Sequence, residues 1–177
     1  RCPVPPPAGA YVLQVIKEIV RRDDVDGGHL DAYFSPSPRA SRAASFPDDT
    51  SWERYGAQSG LSRADWRREN INDFVRSMYH AVKAIKPRAR VGISPFGIWR
   101  PGSPRGITGL DAYGEIYADS KRWLAQGWLD YMVPQLYWEV GGKEDRFRLL
   151  DAWWRTVNPL HRYIWQGLYP EHVYVAG

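Results

Sequence analysis

Apolar positions recur at spacings of three and four between Ala10 and Arg22. Tyr11, Val12, Val15, Ile16, Ile19 and Val20 share a stripe, which predicts an amphipathic helix. Residues 1–9 are Pro-rich and are expected to form a non-helical lead-in. The period then changes. Val25–Phe34 reads Val-Asp-Gly-Gly-His-Leu-Asp-Ala-Tyr-Phe, with His29, Asp31 and Tyr33 at every second position. Side chains at i, i+2 and i+4 of a strand share a face, so this stretch predicts a strand presenting imidazole, carboxylate and phenol in a row, with Leu30 and Phe34 turned away.

Residues 35–63 predict a long polar loop containing Phe46-Pro47-Asp48-Asp49 and Trp52. A loop of that length inside a compact domain is usually functional or disordered, and its aromatic anchors favour function. Ser62 is placed to cap the next helix, with Asp65 in its acidic first turn. Trp66, Ile71, Phe74, Val75, Met78, Val82 and Ile85 carry the stripe of this helix to Lys86-Pro87. A second strand is expected over Arg90–Pro95, opening into Phe96-Gly97-Ile98-Trp99-Arg100. A third helix is expected over Tyr113–Gln126, stopped by Gly127. The pattern ends with a strand over Asp130–Trp138, a helix over Glu144–Val157 and a strand over His161–Leu168.

Strands alternating with helices imply parallel pairing and right-handed crossovers. An open doubly wound sheet and a (β/α)₈ TIM barrel both fit. No G-x-G-x-x-G turn follows any strand, which weakens the dinucleotide-binding version. The strand ends favour the barrel, whose site is drawn from the C-terminal ends of several strands. Here those ends carry Asp31 and Tyr33; Ser94, Trp99 and Arg100; Gln135, Tyr137, Trp138 and Glu139; Gln166 and Tyr169. Four βα units are half of eight. The expected fold is therefore α/β, a partial TIM barrel forming a single incomplete domain over residues 1–177.

Composition narrows the function. A chain of 177 residues is long enough for a real core. Cys2 is the sole cysteine, so no disulfide framework, zinc cluster or thiol nucleophile is expected. The four histidines are scattered without metal-ligand spacing, and neither metal nor cofactor is expected. The net charge of +4 is spread along the chain and makes no basic stripe for nucleic acid. No stretch is apolar enough for a membrane span. The start Arg-Cys-Pro-Val-Pro-Pro-Pro carries no signal peptide and suggests a processed or incomplete chain. Nine Trp and eleven Tyr are the outliers. Such rings build cores, and they also stack on the C–H faces of sugars.

Several stretches resemble the glycosyl hydrolase-like family 10: Asp24–Phe34, Phe46-Pro47-Asp48-Asp49, Trp66-Arg67-Arg68-Glu69-Asn70-Ile71-Asn72 and Gly92–Arg100. So do Tyr117–Trp123, Gly127–Tyr131 and Pro134-Gln-Leu-Tyr-Trp138. The resemblance runs in order from about residue 10 to 170. It implies a glycosidase-type barrel, with this chain supplying roughly the fourth to seventh strands. It also implies an extracytoplasmic bacterial protein acting on glycans, for some members peptidoglycan strands lacking peptides. Two positions depart from the family pattern: Ala32 stands where a second Asp is usual, and Gly28 where a bulky aliphatic is usual.

Glycoside hydrolysis needs two carboxyl groups flanking the bond, about 5–5.5 Å apart for retention and about 6.5–9.5 Å for inversion. Asp31 is the first candidate, as nucleophile or acid/base, against the alternative of a hydrogen-bonded strand-end Asp. Glu139 is the best partner within the chain, against a solvated loop Glu. His29 would orient Asp31 or bond a sugar hydroxyl. Tyr33, Trp99, Tyr137 and Trp138 are candidates for stacking and hydrogen bonding to sugar, with core packing as the alternative. Arg100 would hold an anionic group or form a surface salt bridge. Gln135 and Gln166 are amides on apolar strands that need partners, which a polar barrel mouth would supply. Asp26 and Asp119 are expected to be structural, Asp48 and Asp49 to cap or to close over substrate. A glycan-binding barrel without competent acids, favoured by Ala32, and a fragment without independent activity remain the alternatives.

Overall fold

The structure, a computed structural model, describes residues 6–31, 47–139 and 146–169. Four parallel strands form one sheet in the order β1 (Gly27–Asp31), β2 (Arg90–Ser94), β3 (Tyr131–Met132) and β4 (Tyr163–Ile164). Helix α1 (Pro6–Arg22) precedes the first strand, and α2 (Asp49–Ser51), α3 (Arg63–Ile85), α4 (Ala112–Glu115), α5 (Ser120–Ala125) and α6 (Arg146–Thr156) lie between the strands. Strand order follows chain order, with no reversal at which a doubly wound sheet would switch faces.

The two faces of the sheet differ. Val91, Ile93 and Met132 are buried in a core with Val75, Met78 and Val82 of α3, Trp123 and Leu124 of α5, and Leu150 and Trp154 of α6. The alternate positions point the other way. His29 aligns with Gly92, and Gly92 with Tyr131, while Tyr131 aligns with Tyr163. Tyr163 and Trp165 on this second face are 57% and 49% exposed.

Local sequence explains most boundaries. Ser62 caps α3: its hydroxyl accepts from the Asp65 N–H at 3.1 Å. Helix α1 begins earlier than the Pro-rich lead-in suggests, at Pro6. Proline is tolerated in a first turn, where its missing N–H has no helical partner. The single helix expected over Tyr113–Gln126 is instead α4 and α5, because Tyr117 adopts a left-handed φ of 59° between them. Strands β3 and β4 are shorter than their apolar runs. Pro134 has no N–H to extend the ladder, and pairing resumes only as isolated bridges from Gln135 to Phe96 and Gly167. Part of the expected long loop is ordered, as α2 and a π-helical turn over Trp52–Gly56, with Trp52 edge-on to Trp66 at 5.5 Å. Residues 35–46 of that loop, and the start expected for the helix now seen as α6, lie outside the described residues.

Two strand glycines have opposite meanings. A Cβ at Gly92 would collide with the Tyr131 ring, whereas one at Gly28 would meet nothing within 4 Å. Gly92→Ala is expected to lower unfolding free energy by about 1–3 kcal/mol through overpacking. Gly28→Val, which restores an aliphatic, is expected to raise it by about 0.5–1 kcal/mol. Denaturant titration of both variants checks the pair, and equal effects would sink the distinction.

Candidate functional site

Asp31 ends β1, exposed, at the C-terminal edge of the sheet. The side chain that reaches it comes from two strands away. Gln135 Nε2 donates to Asp31 Oδ1 at 2.9 Å and to the Ser94 carbonyl at 3.3 Å. Ser94 lies between them in register with Asp31, and its own hydroxyl donates to the Val133 carbonyl at 2.9 Å. Gln135 is buried, and its backbone is fixed on both sides. Its N–H donates to the Pro95 carbonyl at 2.9 Å, and Gly167 N–H donates to the Pro134 carbonyl at 2.8 Å. The amide therefore stitches three strand ends together and holds one carboxylate oxygen.

Gln135 also lines a cleft of about 390 Å³ whose walls include Phe96, Tyr137 and Trp138, with Arg146 at the start of α6. Glycine makes room here: a Cβ on Gly97 would press on the Gln135 carbonyl and the Trp138 ring. Exposed Tyr137 has its ring 6.3 Å from that of Tyr169. The structure thus brings Asp31, Gln135, Tyr137 and Trp138 to one region.

Other candidates go elsewhere. His29 stacks on Tyr131, with Nδ1 3.1 Å from the phenol oxygen, one alternation closer to the N-terminal end of β1 than Asp31. The residue orienting Asp31 is therefore Gln135. Burial raises the Tyr131 pKa above its ordinary value, with the Asp130 charge adding to the shift. Gln166 Nε2 donates to Asp151 Oδ1 of α6 at 2.7 Å, which draws its amide to the helix layer. Trp99 is packed: it stacks on Trp153 at 6.0 Å and donates from Nε1 to Asp119 Oδ1 at 3.2 Å. Arg100 lies 3.7 Å from Asp111 Oδ2 and over the Tyr113 ring. Glu139 is exposed, seven residues past the end of β3. Tyr33 and Ala32 lie outside the described residues.

Several other polar residues pair within the scaffold. Arg67 holds buried Asp48 with both ends of its fork, Nε to Oδ2 at 2.6 Å and Nη2 to Oδ1 at 2.5 Å, while Arg63 also pairs with Asp48. Burial alone would raise the Asp48 pKa. Hydrogen bonds from Arg67 and Arg63, reinforced by their charges, outweigh that and hold it below the ordinary carboxylate value. Arg67 Nη1 also donates to the Tyr117 hydroxyl at 2.6 Å, bracing the left-handed residue. Arg68 donates to the Tyr113 carbonyl, Glu69 pairs with Arg122, and Asn72 accepts from Trp123 Nε1 at 2.7 Å. The run Trp66–Asn72 is a row of anchors for the surrounding connections. Asp119 sits at the start of α5 without a side-chain capping bond. Burial raises its pKa, offset in part by the Trp99 indole N–H. The Asp26 backbone carbonyl accepts from Arg90 N–H at 2.8 Å. Asp130 takes Lys83, the Tyr79 hydroxyl and the Val91 N–H, fixing the start of β3.

Among the described residues no group of three or more His, Cys, Asp or Glu could hold a metal ion, and no helix is long and apolar enough to cross a membrane.

These features define an α/β protein whose parallel strands end in a clamped carboxylate beside an aromatic cleft. The chain belongs to the Glycosyl hydrolase-like 10 family, whose model matches residues 2–176. It is 36% identical over 172 residues to "Glycosyl hydrolase YngK" of Bacillus subtilis (strain 168), covering 93% of this chain and 33% of that protein. It is 37% identical over 163 residues to "Glycosyl hydrolase DigH" of Escherichia coli (strain K12), covering 89% of this chain and 36% of that protein. The chain thus spans about a third of the length of these curated relatives.

Proposed function

We propose that the protein hydrolyses glycosidic bonds of a bacterial polysaccharide, peptidoglycan glycan strands being the first substrate to test, and that it works outside the cytoplasm. Asp31 acts as nucleophile or acid/base. Glu139, or a carboxyl from outside this chain, is its partner. The observation that carries this reading is the Asp31 carboxylate held by Gln135 at the C-terminal strand edge, next to the cleft walled by Tyr137 and Trp138.

The chain is read as four consecutive units of a (β/α)₈ barrel. The unreversed parallel order supports this, because it leaves one face of the sheet to helices and the other to a barrel interior. Uncovered apolar surface supports it too. Tyr163 and Trp165 stand exposed on the inner face, and Tyr11, Val12, Val15 and Ile19 on α1 are exposed, Tyr11 by 71%. Neighbouring units of a complete barrel would cover both.

The test is to incubate the natural full-length protein with peptide-free glycan strands and analyse the products by mass spectrometry. New reducing ends support the hydrolase. Binding without cleavage would instead favour a glycan-binding barrel, the reading that Ala32 suggests. Neither binding nor cleavage would overturn the substrate class.

A further inference from the structure

The end of the sheet opposite Asp31 holds a second cleft, of about 280 Å³. Its charged walls come from the starts of three successive strands and from α3: Arg88 and Arg90 at β2, Asp130 before β3, Arg162 before β4, and Lys83 on α3. Among the described lining residues Asp130 is the only carboxylate, against one lysine and three arginines. That carboxylate is already engaged. Its Oδ2 accepts from Lys83 Nζ at 2.6 Å and from Val91 N–H at 2.8 Å, and its Oδ1 from the Tyr79 hydroxyl at 3.2 Å. Arg162 keeps long contacts, 3.9 Å from Nη1 to Asp130 Oδ1 and 3.4 Å from Nη2 to the Gly127 carbonyl, and a hydrogen bond to the Tyr79 hydroxyl. Its Nε is buried with no hydrogen-bond acceptor among the described residues. A charged donor buried without an acceptor is costly, and native proteins rarely leave one. Arg90 is exposed, its guanidinium 5.4 Å from the centre of the Tyr163 ring. Arg88 also borders a neighbouring cleft with Asp24 and Asp26 on its wall, so Arg90 and Arg162 are the cations best placed for a ligand.

We propose that this cleft binds a phosphate group, held between Arg90 and Arg162. The site lies at the strand ends opposite Asp31 and is independent of the hydrolase reading. A tetrahedral phosphate offers oxygens in several directions, which suits guanidinium groups arriving from two different strands. A carboxylate presents two oxygens in one plane, which a single fork satisfies. The phosphate can be a monoester or the diester link of a polymer, and the two sources are separable.

The natural full-length protein is titrated calorimetrically at fixed ionic strength with four probes: inorganic phosphate, glycerol 3-phosphate, glycerophosphoglycerol and acetate. The expected result is saturable binding of phosphate and of at least one ester, with acetate much weaker. Arg90→Gln and Arg162→Gln should each weaken phosphate binding by roughly 10- to 100-fold, the loss of a charge-assisted hydrogen bond. Arg155→Gln, on the surface of α6, should leave it unchanged. Tighter binding of glycerol 3-phosphate than of glycerophosphoglycerol assigns the site to monoesters, and the reverse order assigns it to a phosphodiester. If Arg162→Gln does not fold, Arg90→Gln and the partly rescuing Arg90→Lys decide. No phosphate binding by the full-length protein, acetate binding as tight as phosphate, or wild-type affinity in Arg90→Gln overturns the proposal. Binding confined to vesicles of phosphatidylglycerol, with none of the soluble probes retained, overturns it as well, because a diffuse basic surface would suffice.

Discussion

Asp31→Asn in the full-length protein is expected to lower kcat for glycan-strand cleavage by on the order of 10²–10⁴-fold. Asn keeps the volume and an acceptor for the Gln135 amide, so the strand end should persist while the nucleophile or acid/base is lost. Gln135→Leu removes the donor that fixes Oδ1 and should cost a smaller factor, roughly tenfold, from misplacement of the carboxylate. The two effects should not add: once Asp31 is Asn, Gln135→Leu has little left to disturb. Steady-state rates of the two single variants and the double variant, with circular dichroism to check folding, measure this. An Asp31→Asn enzyme as fast as wild type would remove Asp31 from catalysis. Strict additivity would instead remove Gln135 as its positioning residue, leaving only a packing role.

Arg67→Met is expected to be the most damaging change for stability away from the strand edge, at about 3 kcal/mol or more. Asp48 is 4% exposed, so loss of its forked partner leaves a buried carboxylate with Arg63 as its remaining ion-pair partner among the described residues. The same change releases the Tyr117 hydroxyl and with it the brace on a left-handed backbone. The pH dependence follows from the depressed pKa of Asp48. A carboxylate whose folded pKa lies below its unfolded value contributes stability that is fully present above the unfolded pKa, about 3.9. That contribution disappears as pH falls through the lower folded value. Wild type should therefore lose stability on acidification below about pH 4, and Arg67→Met should lose less from this group because the depression is reduced. Denaturant titrations at neutral and acid pH would show it. A variant within 0.5 kcal/mol of wild type, the range of ordinary surface changes, would mean that the ion pair is not structural.

The α/β order and the parallel pairing were legible because they are written in local spacing. The stripe of α3 and its Ser62 cap, the alternation around Asp31 and the order of helices and strands all depend on residues within a few positions of one another. Boundaries failed where a single backbone position overrode the pattern. Left-handed Tyr117 split one expected helix, and Pro134 interrupted an apolar run that reads as a continuous strand.

The arrangement of the candidate residues was half legible. The sequence alone marked Asp31 as a strand-end carboxylate, placed aromatic residues after the third strand and identified the family. It could not tell that Gln135, 104 residues away, holds Asp31, or that His29 instead faces Tyr131, 102 residues away. Those pairings are set by the register between strands, which aligns Asp31 with Ser94 and brings Gln135 across it. Nor could it tell that Gln166 turns to Asp151 on α6, or that the Arg67 motif anchors Asp48, because a polar side chain's partner depends on which layer its element packs against. Local periodicity determines what each segment is. Only tertiary packing decides which polar groups lose water together, and so which become a site and which become scaffold.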